Sequence, residues 1–395
     1  MLSDFLITKA PSVIIDLGLK YTKVGFGTEP EPRKILPTPN LFHTSLFYSN
    51  SVMKTNILLY KKDFYDVKYQ IEEFVDYIIT FVLQLKKQQR EKRYICLLLI
   101  DFATKDGFKQ IYEFFASTIL SYSAVGGLRV VNKNVFPVFV SGFASGLVLN
   151  CGYAYSTITV VNNGVSVYSN DYAVGVSTLE KKLKMLILED KNGMKNVMNE
   201  DIVKFTEEIN KYIEDIVVRT TVIVSKKISN ELLSKENENA LKGVNDYTKI
   251  NCYKELPEFL LSFENRVLIG EELFDEGKEI NFAAEVLRVL CNEVPCEIRK
   301  KISANIILSG GMTMLFGFFN RFCDEIQVLL NEREFKKLYF IKEYVKVHKI
   351  IFPRNCLNWI GASLITNFEK LNFSGREVSK DDQDMLDKDI ASIFI

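Results

Sequence analysis

Residues 13–33, VIIDLGLKYTKVGFGTEPEPR, constrain this chain more than any other stretch. The β-favouring run from Val13 leads into Asp16-Leu17-Gly18, and in the next run Tyr21, Lys23 and Gly25 alternate with Thr22, Val24 and Phe26. That pattern reads as a strand, a tight turn and a strand. An acid ending the first strand, with a glycine two residues later, can aim backbone N–H groups and Lys23 at a phosphate chain while Asp16 holds a metal through water. The same spacing serves a plain hairpin equally well, so both readings stand at this point.

The order recurs at 147–168, LVLNCGYAYSTITVVNNGVSVY, with the turn Asn150-Cys151-Gly152 and a further hairpin signal at Asn162-Asn163-Gly164. Two such hairpins far apart in one chain point to a duplicated α/β domain facing a central cleft. A third glycine site, Ser309-Gly310-Gly311, follows the buried-strand run Asn305-Ile306-Ile307-Leu308 and precedes a helical pattern, which would bring a helix N-terminus to the same cleft.

These three sites, in this order, resemble the actin superfamily. The segment Glu297 to Phe322 is similar to actin's run through its adenosine site, and Trp359-Ile360-Gly361-Ala362-Ser363 to its WIGGS. The resemblance implies duplicated α/β domains of the actin/Hsp70/hexokinase kind around a central nucleotide cleft. It implies a first half at 1–145 with a shortened outer lobe, a second half at 146–340 whose larger outer lobe spans about 176–265, and a return of 341–395 to the first half. The implied nucleotide contacts are Asp16, Gly18, Lys23, Gly152, Gly310, Gly311 and Met314, for ATP or ADP, with magnesium only beside a nucleotide and Asp16 as its ligand through water. A packing role for Gly310, Gly311 and Met314, in a tight strand-to-helix turn, is the alternative.

Composition agrees with a globular protein of this size. At 395 residues and 47% hydrophobic content the chain can bury a large core, in two or three domains by length. Its 50 basic and 50 acidic residues leave a formal net charge of +0, without the basic face that nucleic-acid binding requires. Seven scattered cysteines read as reduced thiols of a cytosolic protein, and the Cys291/Cys296 pair has no second pair to complete a zinc site. The opening MLSDFLITKA is too short and too polar for a secretory signal, and no apolar run predicts a membrane span.

Other elements follow from periodicity. Spacings of three and four predict an amphipathic helix over 69–89; the run 94–100 reads as a buried strand and 106–121 as a second helix packed on the sheet. The basic cluster from Lys86 to Arg93 reads as a solvated helix tail, with a partner contact as the lesser reading. A helix follows Gly175, and 233–246 reads as a polar loop. The resemblance adds a helix at 213–225, a strand and turn within 259–274, and an outer lobe whose segment 41–60 is too short for the loop by which actin enters its neighbour.

Against actin's chemistry the chain departs at several positions. Leu19 and Lys20 replace a small Ser-Gly pair, and Asn150 and Tyr153 replace two aspartates, which weakens a hard-cation site. Lys20 either supplies lost metal charge or crowds the phosphate pocket. Pro137 and Thr157 stand where the family pattern places the Gln and His that position the attacking water; neither is a base, and His43 and His348 lie elsewhere. Val217 and Val218 replace a Lys-Glu pair on the adenosine helix, Leu315 a Tyr and Asn355 a Lys.

The departures, together with Glu214-Asp215-Ile216, Arg219-Thr220 and Asn355-Cys356 before Trp359, resemble one divergent branch, the actin-related protein at the pointed end of dynactin. That branch implies a non-catalytic cytoplasmic protein of the microtubule and centrosome-associated cytoskeleton, one that caps the end of a centractin filament. It would carry the pointed-end dynactin subunits for dynein-driven transport and would form no filament of its own. Its docking groove is expected near the start of the last domain and Trp359. A divergent nucleotide-binding actin-related protein of another complex, such as a chromatin remodeller, or a weak ATPase, is the alternative.

Overall fold

The computed structural model describes residues 12–39, 61–86, 93–102, 108–189, 201–233, 247–250, 259–274, 280–366 and 377–379. The short segment 41–60 and most of the polar loop, 234–246, lie outside the described residues.

Two sheets carry the fold. In the first, β1 (Val13–Asp16) pairs antiparallel with β2 (Tyr21–Phe26), which pairs with β3 (Lys34–Pro37). On its other side β1 runs parallel to β4 (Tyr94–Ile100), and β4 parallel to β5 (Val125–Asn132). The second sheet repeats this wiring. There β6 (Gly146–Cys151) pairs antiparallel with β7 (Ser156–Asn162), β7 with β8 (Val165–Tyr172), and β6 runs parallel to β11 (Ile306–Ser309). The orders β3-β2-β1-β4 and β8-β7-β6-β11 are therefore the same arrangement used twice, as the two hairpin sequences predict. The hairpin signal at Asn162-Asn163-Gly164 is realised too, with φ +50° at Asn163 and +79° at Gly164, the left-handed pair that a two-residue turn needs.

Sheet one buries its inner face under α1 (Lys61–Asp76) and α2 (Lys109–Ser121), where Ile71, Phe74, Phe115 and Ile119 meet Val13, Ile15 and Leu98. The predicted helix over 69–89 thus begins earlier, at Lys61, and ends as a π turn at Tyr77–Val82. Leu83 donates to the Ile78 carbonyl in that wider turn, which keeps both Ile78 and Ile79 in the core, and Gln84 then breaks the helix at φ +51°.

Sheet two is covered by α4 (Val176–Glu189), α5 (Asp201–Thr220), α7 (Phe263–Glu271), α8 (Phe282–Asn292), α9 (Cys296–Ser303) and α10 (Phe318–Leu329). The short α6 (Lys226–Leu233) packs on α7, and a two-stranded ribbon, β9 (Tyr247–Ile250) and β10 (Phe259–Ser262), leads into it.

Two expectations change here. The helix predicted over 213–225 stops at Thr220, because the β-branched run Thr220-Thr221-Val222-Ile223-Val224 resists helix; Val222 and Ile223 donate instead to the carbonyls of Arg266 and Phe316. The stretch read as strand and turn, Glu264 to Phe274, is mostly the helix α7. Ser262 caps it by accepting the Asn265 N–H at 3.1 Å, with Glu264 in the first turn.

The short helix α3 (Pro137–Val140) and α11 (Leu357–Ile365) join the two halves. Trp359 and Ile360 pack beneath sheet one with Ile14, Leu97 and Leu99, while Leu357 and Val138 meet Val148, Val161 and Ile307 of sheet two. The fully buried Trp359 donates its indole N–H to the Ile14 carbonyl at 3.3 Å, so it is core rather than groove wall. A last strand, β12 (Glu377–Ser379), adds antiparallel to β5 at the edge of sheet one.

Candidate functional site

The parallel wiring places the β1–β2 and β6–β7 turns on facing ends of the two sheets. Gly310 comes to the second turn because β11 runs beside β6 with Ser309 opposite Asn150. A Cβ on Gly310 would overlap the Cys151 carbonyl, and its φ of +92° is a conformation that side chains rarely adopt. Gly310→Ala is therefore expected to cost about 1–3 kcal/mol, measured as a lower urea midpoint with unchanged slope.

Asp16 is buried and accepts the Lys23 ammonium at 3.1 Å, an in-register pair across the hairpin. Thr38 closes the same turn by donating to the Gly18 carbonyl at 2.8 Å. In the second turn Gly152 donates its N–H to the Tyr155 carbonyl, and Gly310 donates to Arg354. Gly311 is exposed and begins a 3-10 turn that ends at the exposed Met314, so α10 starts only at Phe318, beyond the glycine pair and this turn. Among the replaced adenosine-side positions, Val217 and Leu315 are buried and Val218 is exposed, while the Asn355 side-chain oxygen is buried with no hydrogen-bond partner.

The two turns meet through side chains. Lys20 lies over the Tyr153 ring, 4.6 Å from its centre, and pairs with Glu214 of α5 at 3.3 Å. Tyr21 donates to the same Glu214 carboxylate at 3.0 Å, and Tyr153 donates to Glu180 of α4 at 2.9 Å. Burial, reinforced by Glu214, pushes the Tyr21 phenol up to about 12. Burial likewise raises Glu180, offset in part by its Tyr153 hydrogen bond and by Lys20.

Sequence reasoning gave the acids in this group no place in the site, although Glu214 belongs to a motif of the divergent branch. Glu180 and Glu214 sit on helices with nothing in their spacing to mark them, and Asp101 follows β4 as Asp16 ends β1. Asp101 is fully buried and accepts the Thr157 hydroxyl at 2.7 Å, so an acid stands beside the second hairpin even though Asn150 and Tyr153 replace its two aspartates. The signal was present: an acid directly after the strand parallel to β1. Asn150, buried, donates to Asn134 at 2.7 Å, a neutral amide pair where the family pattern has a carboxylate.

The family model described as Actin matches residues 7–385. The chain belongs to the actin family. Its fold is the actin fold, with two sheets of shared wiring about a cleft. Among curated relatives it is 24% identical over 392 residues to Centractin of Saccharomyces cerevisiae, covering 92% of each chain. It is 24% identical over 404 residues to Actin-related protein 10 of Dictyostelium discoideum, covering 90% of this chain and 82% of that one. Centractin of Schizosaccharomyces pombe is 21% identical over 408 residues, at 95% and 96% coverage.

Actin-family proteins generally bind a nucleotide with magnesium, and the residues here fit that group poorly. Phosphate cradles need free N–H donors, yet Gly152 has spent its own, and Val176 and Ser177, at the start of α4, donate to the carbonyls of Gly152 and Tyr153. Glu180 and Glu214 would face a polyanion with like charge, and Tyr153 and Lys20 occupy the gap between the turns. Among the described residues no group of three His, Cys, Asp or Glu side chains is placed to hold a metal. Asp16 brings a single carboxylate, already paired with Lys23.

Proposed function

We propose that this actin-related protein is a non-catalytic capping and scaffold subunit that docks on the pointed end of a centractin filament in a dynactin-type complex. The observation that carries the reading is a run of exposed apolar side chains in the segment before α11. Tyr339, Phe340 and Tyr344 stand on a 3-10 stretch at Arg333–Tyr344, and Ile351 and Phe352 follow it. Ile351 is 99% exposed and Phe340 91%. Apolar residues left this bare mark a surface that another protein covers.

A recess of about 300 Å³ opens in the same region, between Phe143, Ala304 and His348, with Lys301 and Lys346 among its lining residues. It offers a place for a partner's anchoring side chain. The expected groove thus belongs to the residues that precede Trp359, not to Trp359. In this reading the small pointed-end subunits occupy the outward face, and the protein stays in the cytoplasm with the microtubule cytoskeleton. No helix among the described residues is long and apolar enough to cross a membrane.

The test has two arms. Gold-labelled protein mixed with short centractin filaments is expected to appear once per filament, at one end, in electron micrographs, while the protein alone stays monomeric in sedimentation. It is also expected to release phosphate from ATP no faster than buffer. Decoration along the filament sides, or long filaments of the protein by itself, overturns the capping reading; turnover abolished by Asp101→Asn or Asp16→Ala overturns the non-catalytic one.

A further inference from the structure

The contacts across the cleft carry a consequence independent of the capping reading. Three of them join the halves directly: Lys20 on the Tyr153 ring, Lys20 with Glu214, and Tyr21 with Glu214. A fourth, Tyr153 to Glu180, fixes the ring on which Lys20 rests. Lys20 and Tyr21 follow the first turn of the first half, Tyr153 lies in the corresponding turn of the second, and Glu180 and Glu214 come from the helices above it.

We propose that these five side chains form an intramolecular latch that holds the two halves closed without a bound nucleotide. In effect the cleft is an internal interface of the folded chain.

The physical case rests on charge and on donors. Lys20 supplies to the second half positive charge of the kind a metal ion would otherwise bring, and Glu214 is the anion it meets, so that pair is neutral without polyphosphate or cation, while the Tyr153 hydroxyl holds Glu180. Glu214 accepts from both Lys20 and Tyr21, and hydrogen bonds to an ionised acceptor are the stronger class. The Lys20–Glu214 pair is partly exposed and contributes little by itself. The latch works because the ring contact and the Tyr21 bond converge on the same two residues, which makes the group cooperative. At the second turn the Gly152 N–H, and at the start of α4 those of Val176 and Ser177, already bond within the chain, so these three donors are not free for a phosphate.

Hydrogen exchange on the full chain, stripped of nucleotide with apyrase and EDTA, tests this directly. Amides of 18–23 and of 152–156 are expected to keep their protection after stripping, and the melting temperature to move by no more than about 1 °C when 1 mM MgATP is added. A saturating ligand would raise it by several degrees through mass action. The double variant Lys20→Met, Tyr153→Ala is expected to raise exchange in both turns together by about tenfold, with β11 unchanged and with no recovery on adding MgATP.

Should that variant not fold, Tyr21→Phe removes one hydroxyl only and is expected to loosen both turns in the same coupled way, by a smaller factor. Faster exchange confined to the mutated hairpin overturns the latch, because the contacts would then not join the halves. So does loss of protection on stripping, or rescue by MgATP, either of which would make nucleotide the agent that closes the cleft.

Discussion

Arg321→Met is expected to lower the melting temperature by roughly 5 °C, the largest stability effect of any single substitution considered for this chain. Arg321, on α10, is buried to 2% exposure and uses four of its guanidinium's five N–H donors. It donates to both oxygens of Glu271 at 3.0 and 3.1 Å, to Glu325 at 2.9 Å and to the Val224 carbonyl at 2.7 Å. Both carboxylates are buried as well. Removing the cation strands two anions in the core, which costs about 3–5 kcal/mol when one partner of a buried pair is lost.

Lys226 reaches Glu325 from α6 at 3.4 Å and relieves only one of the two. The same argument sets the control. Replacing all three with apolar residues, Arg321→Met with Glu271→Leu and Glu325→Leu, removes the unpaired charges together and is expected to recover most of the loss. Circular dichroism melts of the three chains decide it. A single variant that melts with the parent would show that the ion group does not hold α7, α10 and the 221–225 connection together.

That connection illustrates where the sequence could be read and where it could not. The hairpins were legible because their signals are local: an acid and a glycine between alternating runs, Asn-Asn-Gly, a buried strand before Gly310-Gly311. Repetition of the pattern then gave the duplicated wiring. The end of α5 was misplaced because the resemblance carried the helix to 225, past the β-branched run from Thr220 that disfavours helix, and the bonds from Val222 and Ile223 to Arg266 and Phe316 hold that run outside it.

The misreading of α7 had a local remedy in Ser262 as its cap. The site was legible in kind and not in content. Asp16, Gly152 and Gly310 do lie on turns of the two matching sheets, but Lys20 admitted two readings by sequence. Which one holds depends on Glu214, nearly two hundred residues away, and no spacing rule links the two.

The exposed apolar run before α11 makes the sharpest demand on the proposed docking. Ile351→Asp and Phe340→Asp each place a carboxylate where the chain itself packs almost nothing, so folding should not register the change. Surface substitutions of this kind move stability by roughly half a kcal/mol or less, and the melting temperatures are expected to stay within about 2 °C of the parent. Docking should register it strongly. An interface of standard size buries about 1,600 Å² and draws most of its energy from a few central apolar anchors, each contributing about 2 kcal/mol or more. Burying a charge in place of such an anchor loses the anchor and adds desolvation. Each variant is therefore expected to weaken end binding to centractin filaments by at least about thirtyfold, measured by co-sedimentation at fixed ionic strength. Tyr69→Asp, on the exposed face of α1 in the other half, is the matched control and is expected to bind like the parent. Equal binding by Ile351→Asp, Phe340→Asp and the control would remove this surface from the interface. Loss of binding in all three would point to a general effect of added negative charge and not to an anchor at Ile351 and Phe340.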